Sequence, residues 1–88
     1  KEADLSRVTL ENTTLSRANL SKANLSGVRC IKASMTFASL EDCDLTRANL
    51  SSAYLYGSDL TKANLPSATT SEISFKNAKF IGTIGYKP

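Results

Sequence analysis

The residues best able to do chemistry in this 88-residue chain are few and scattered. It has two cysteines, Cys30 and Cys43, eight carboxylates, eleven Lys and Arg, and no histidine. Without an imidazole, Ser-His and Cys-His nucleophile pairs and histidine-held metals are excluded within the chain. Two cysteines make neither a disulfide framework nor a metal-binding set, and both are read as reduced thiols in a core. The glycines at 27, 57, 82 and 85 lie too far apart for a phosphate-cradling loop. No catalytic, cofactor-binding or metal-ligating residue is assigned, and enzymatic activity is not expected. What remains is a surface of cations, aromatics, hydroxyls and amides, whose arrangement depends on how the chain folds.

That arrangement follows from a period of five. The stretch SRANLSKANL, residues 16–25, says one phrase twice, and the register never breaks. All eleven leucines fall at 5, 10, 15, 20, 25, 40, 45, 50, 55, 60 and 65, and Cys30, Met35, Phe75 and Phe80 continue the series. Two positions earlier runs a second set that holds all ten alanines, with Val8, Val28, Cys43 and Ile73 as relatives. On an α-helix five residues advance by roughly 500°, so successive leucines would scatter around the axis. On a straight strand five is odd, so they would alternate between faces. The pattern is satisfied when the small residue and the leucine both point inward across a short extended piece and the residue between them points out. The chain then turns over the next two residues, where Ser, Thr, Gly, Asn, Asp and Lys are turn-compatible. Coils stacked about 4.8 Å apart would pair their backbone groups between layers. The predicted core is thus Leu5, Leu10, Leu15, Leu20, Leu25, Cys30, Met35, Leu40, Leu45, Leu50, Leu55, Leu60, Leu65, Phe75 and Phe80.

The phrase A-[DN]-L-x-x is complete at Ala3-Asp4-Leu5, Ala18-Asn19-Leu20, Ala23-Asn24-Leu25, Ala48-Asn49-Leu50 and Ala63-Asn64-Leu65. It resembles the pentapeptide-repeat family. The resemblance implies an all-β, right-handed quadrilateral β-helix with four units per coil and about four coils. One domain would span 1–88, regular over 3–68 and degenerate over 69–88, where Thr70 takes an inward slot and Gly85 leaves one empty. Ile81, Ile84 and Tyr86 are expected to cover the lower end of the core, since terminal coils need capping. The opening on Lys1 and the lack of a cap before Ala3 set the expectation of a fragment of a longer protein, with coil ends open to end-to-end homodimerisation.

With twenty residues per coil, outward residues twenty apart share a face. The first face carries Arg7, Arg47 and Lys87, the second Arg29 and Lys32, the third Arg17 and Lys76, and the fourth Lys22, Lys62 and Lys79. At a net charge of +3 this even spread reads as a solvated coat, so no nucleic-acid partner is expected. Asp4 and Asp44 share the first face but stand two coils apart, about 10 Å, so no paired-carboxylate catalyst is expected. Some members of the family resemble DNA and block or protect topoisomerases, a mimicry that depends on strong negative charge and that the +3 disfavours. Phe37, Tyr54 and Tyr56 point outward on the third face with Arg17 one coil away, a combination that protein-binding hot spots favour. The leading reading is a non-catalytic scaffold or protein-interaction module without cofactors. A third reading makes it the accessory module of an enzyme whose catalytic domain lies elsewhere. Similar proteins include bacterial effectors delivered into host cells; the sequence does not fix a location, which is the cytoplasm or, for an effector, a host cell. No apolar run is long enough to cross a membrane.

Overall fold

The computed structural model describes residues 3–85. In each five-residue unit the outward middle residue forms a parallel bridge with the residue twenty further on, from Asp4↔Asn24 through to Asn64↔Ile84. Four units therefore complete one circuit. Among the described residues every bridge is isolated and no continuous strand forms, a refinement of the all-β expectation. Turns consume two residues in five, which leaves only the middle of three extended residues to pair on both sides.

Each backbone N–H of the unit has a distinct destination. The Leu5 N–H donates to the Asn24 carbonyl of the next coil, and the Asn24 N–H donates back to the Ala3 carbonyl, both at 2.8 Å. At the corner, the Arg7 N–H reaches the Ser26 carbonyl at 3.0 Å, and the Val8 N–H closes the turn on the Leu5 carbonyl at 3.3 Å. The fifth N–H, of Ser6, donates to Asp4 Oδ1 at 3.1 Å. The same side-chain cap recurs at Asn19 with Ser21, Asn24 with Ser26, Asp44 with Thr46, Asn49 with Ser51 and Asp59 with Thr61. This is why the repeat reads Asp or Asn, then Leu, then Ser or Thr: a short acceptor two residues before a corner hydroxyl ties the turn to the strand.

The second corner residue has φ between 55° and 69° at every unit from Arg7 to Gly82, and only three of these sixteen corners carry glycine. A turn closed from residue i+3 to residue i, with φ positive only at its third residue, is type II. For a side chain with a Cβ the left-handed region costs on the order of 1 kcal/mol. The inter-coil bonds at every corner hold the chain there nonetheless.

The fully buried interior runs from Ala23 to Leu65 and includes Leu25, Met35, Leu45 and Leu55. Leu5, Leu10, Leu15, Leu20, Phe75 and Phe80 are only partly buried against it, because they line the first and last coils and have a neighbour on one side only. Ile81 and Ile84 do not cover the lower end: they are 71% and 58% exposed. The register explains this, since Ile84 fills an outward bridging slot and Ile81 a corner slot. Tyr86 lies outside the described residues. The lower interior is filled instead by Phe75 and Phe80, edge to face with centroids 4.9 Å apart. Although the sequence departs from the repeat after residue 68, the bridges continue through Thr69, Ser74, Lys79 and Ile84.

Four inward small-residue slots hold polar side chains; the Thr13 hydroxyl donates to Glu11 O at 3.4 Å, and the other three donate to leucine-slot carbonyls. The Ser58 hydroxyl bonds Leu55 O at 2.8 Å, the Cys43 thiol Leu20 O at 2.8 Å and the Thr83 hydroxyl Leu60 O at 2.7 Å. Among the described residues no buried side-chain nitrogen or oxygen lacks a partner.

Candidate functional site on the third face

The third face is built from residues 13–17, 33–37, 53–57 and 73–77, held in register by the bridges Thr14↔Ser34, Ser34↔Tyr54 and Tyr54↔Ser74. Its far corner forms one column of Arg17, Phe37, Gly57 and Asn77. Phe37 occupies the left-handed corner position, with φ 59°, where a bulky side chain is uncommon. Its ring lies across the next corner. A Cβ added at Gly57 would meet the Phe37 ring at 2.6 Å, so the missing side chain at 57 makes room for the ring.

Around that ring the contacts run in sequence. The Arg17 guanidinium carbon lies 5.0 Å from the Phe37 centroid, within cation–π range. Phe37 meets Tyr56 edge to face, with centroids 5.5 Å apart and planes at 80°. The Asn77 amide donates to the Tyr56 hydroxyl at 3.0 Å. Phe37, Tyr54 and Tyr56 remain 48%, 53% and 39% exposed. Three of the four residues expected to form the patch, Arg17, Phe37 and Tyr56, are thus brought into contact. Tyr54 stands on the same face, but among the described residues its ring joins no aromatic pair. Gly57 and Asn77 belong to the cluster and were not anticipated, although the twenty-residue offset from Phe37 points straight at Gly57.

The other chemistry-bearing groups fill structural roles. Both cysteines are free and buried, and burial pushes each thiol up to about 11, away from nucleophilic reactivity at neutral pH. Thr46 and Ser6 donate both a hydroxyl and an N–H to Asp44 and Asp4, and Thr61 does the same for Asp59. These bonds hold all three carboxyls below their ordinary range. Among the described residues no three His, Cys, Asp or Glu gather as a metal-binding group. No helix among them is long and apolar enough to cross a membrane.

Comparison with known proteins returns one family and one architecture. The family model for pentapeptide repeats matches residues 3–36 and 29–65, in eight copies. The crystal structure of a pentapeptide repeat protein from the Arabidopsis thaliana thylakoid lumen is similar, with 29% identity and a TM-score of 0.66 over 97% of this chain and 69% of that one. A pentapeptide repeat protein from the cyanobacterium Cyanothece 51142, Rfr23, shares the fold at 24% identity and a TM-score of 0.54, covering 94% of this chain and 64% of that one. No curated protein matches the chain.

Proposed function

The chain belongs to the pentapeptide-repeat family, whose fold is a right-handed quadrilateral β-helix, and from that premise we propose that it is a non-catalytic scaffold of about four coils that binds a protein partner through its third face. The observation that carries this reading is the contact chain of Arg17, Phe37 and Tyr56, packed on one another yet substantially exposed. Aromatic rings and arginine are the side chains that most often anchor protein interfaces. Here the inter-coil backbone bonds fix their positions in advance, so little conformational freedom is lost on association. Burying three half-exposed rings also removes apolar area that the folded chain leaves in water. A scaffold needs no catalytic group, which accords with the structural roles taken by the buried thiols and the hydrogen-bonded carboxylates.

Binding to arrayed human, plant and bacterial peptides tests the reading. The intact chain should select a subset of peptides, and the variant carrying Phe37→Ala, Tyr54→Ala and Tyr56→Ala should lose most of that binding while keeping its melting temperature within a few degrees. A control carrying Asp4→Ala and Thr9→Ala, on other faces, should bind as the parent does. Undiminished selection by the triple variant would reject the third face as the binding surface.

A further inference from the structure

The charges of the third face are not those of a mixed coat. Residues 13–17, 33–37, 53–57 and 73–77 include Arg17 and Lys76 but no Asp or Glu. The described acids lie elsewhere: Asp4 and Asp44 on the first face, Glu11 and Glu72 on the second, and Glu41, Asp42 and Asp59 on the fourth. The two acids at the bordering corner are turned to other partners, Glu11 to Arg29 at 3.9 Å and Glu72 to the Ser52 hydroxyl at 3.3 Å. Among the described residues neither Arg17 nor Lys76 forms an ion pair. Arg17 is spread over Phe37 instead. Every described outward-facing aromatic ring therefore sits on the one face whose positive charge is uncompensated.

We propose that this face receives an extended acidic segment of a partner protein, with two carboxylates about four residues apart and an apolar or aromatic residue between them. The proposal rests on the reading of the third face as a protein-binding surface. Its spacing comes from the coil. Arg17 and Lys76 lie three coils apart, about 14 Å at the usual inter-strand distance, and an extended chain covers that in about four residues. Between them stand the Phe37–Tyr56 pair and the exposed Tyr54, which offer ring faces to the intervening side chain. A single nucleic-acid strand fits less well. It carries a phosphate at every nucleotide, whereas among the described residues this face offers two cations only, Arg17 and Lys76, at its two ends.

Fluorescence anisotropy with labelled seven-residue peptides decides the matter. The peptides carry Glu at the second and sixth positions and Tyr, Phe or Pro in the centre. Each is paired with a counterpart carrying Gln for Glu, and a decamer of oligothymidylate is run alongside. The expected result is that at least one Glu peptide binds about tenfold more tightly than its Gln counterpart. That advantage should vanish in the Arg17→Gln, Lys76→Gln double variant, and should shrink as salt rises from about 50 to 500 mM. Equal binding of the Glu and Gln peptides overturns the acidic partner while leaving the third face as a binding surface. So does tighter binding of oligothymidylate, or the absence of binding by every Glu peptide. Acidic peptides that bind the Phe37→Ala, Tyr54→Ala, Tyr56→Ala variant as tightly as the parent would remove the third-face reading itself.

Discussion

At the scale of single residues, the outward Asp4, Asn19, Asn24, Asp44, Asn49 and Asp59 side chains act as turn caps, and the two types do the same work. Asn24 Oδ1 accepts the N–H and hydroxyl of Ser26, just as Asp44 Oδ1 accepts those of Thr46, and the two stand in one column. The carboxylates differ only in being able to titrate. Because folding lowers the carboxyls of Asp4, Asp44 and Asp59, their contribution is fully present above the ordinary carboxylate range and is lost as pH falls through the lowered folded values. Replacing all three by Asn should leave the urea midpoint at pH 7 nearly unchanged and reduce the stability lost between about pH 5 and pH 2. Equal acid losses in parent and variant would show that other groups govern the acid limb. Ser58 offers a complementary case. It is buried, and its hydroxyl shares the Leu55 carbonyl with its own N–H. Its column neighbours in the repeat are Ala18, Ala38 and Ala78, so Ser58→Ala removes a donor without leaving an acceptor unsatisfied. The expected change is within about 1 kcal/mol in either direction, read from chemical denaturation.

At the scale of the corner, stability depends on what lies one coil above. All three corner glycines, at 27, 57 and 82, sit beneath a long side chain of the preceding coil: Arg7, Phe37 and Lys62. Alkyl stems can shift, but the Phe37 ring cannot leave without giving up Tyr56 and Arg17. Gly57→Ala therefore combines a left-handed φ of 67° with a 2.6 Å clash against the ring, and should cost about 2–4 kcal/mol in denaturant melts. Adding Phe37→Ala should recover the part due to the clash, leaving only the backbone cost, whereas simple additivity of the two changes would rule out the contact of the Phe37 ring with position 57. This corner also marks where the sequence stops being informative. The inward series from Leu5 to Phe80, the corner positions and the outward direction of Phe37, Tyr54 and Tyr56 all follow from counting in fives. The left-handed backbone at Phe37 does not, since propensity argues against it and only inter-coil bonds enforce it. Ile81 and Ile84 differ from expectation for a related reason: hydrophobicity points them inward as a cap, while the register, which governs direction, puts them outside.

At the scale of the whole molecule, each coil touches only its neighbours, so stability is a sum over coils and their interfaces. The column Leu5, Leu25, Leu45 and Leu65 samples that sum at both its extremes. Leu45 is fully buried with leucines above and below, whereas Leu5 in the first coil is only partly buried. Leu45→Ala removes methyl groups from a site that neighbouring rungs prevent from collapsing, and should cost about 2–5 kcal/mol. Leu5→Ala opens a site already in contact with water and should cost about 1 kcal/mol or less. Amide exchange separates the two more sharply than melting does. The Asp44 N–H, bonded to the Ala23 carbonyl, and the Leu45 N–H, bonded to the Asn64 carbonyl, lie between coils that must separate before either can exchange. Leu45→Ala should therefore lower protection across the central coils together, by the same free energy that denaturant reports. Leu5→Ala should lower protection only at Leu5, Leu10 and the amides bonded to them, as the first coil peels from a stack that stays closed. A uniform loss of protection from Leu5→Ala would mean that the coils open as a single cooperative unit, and the nearest-neighbour picture of this molecule would have to be abandoned.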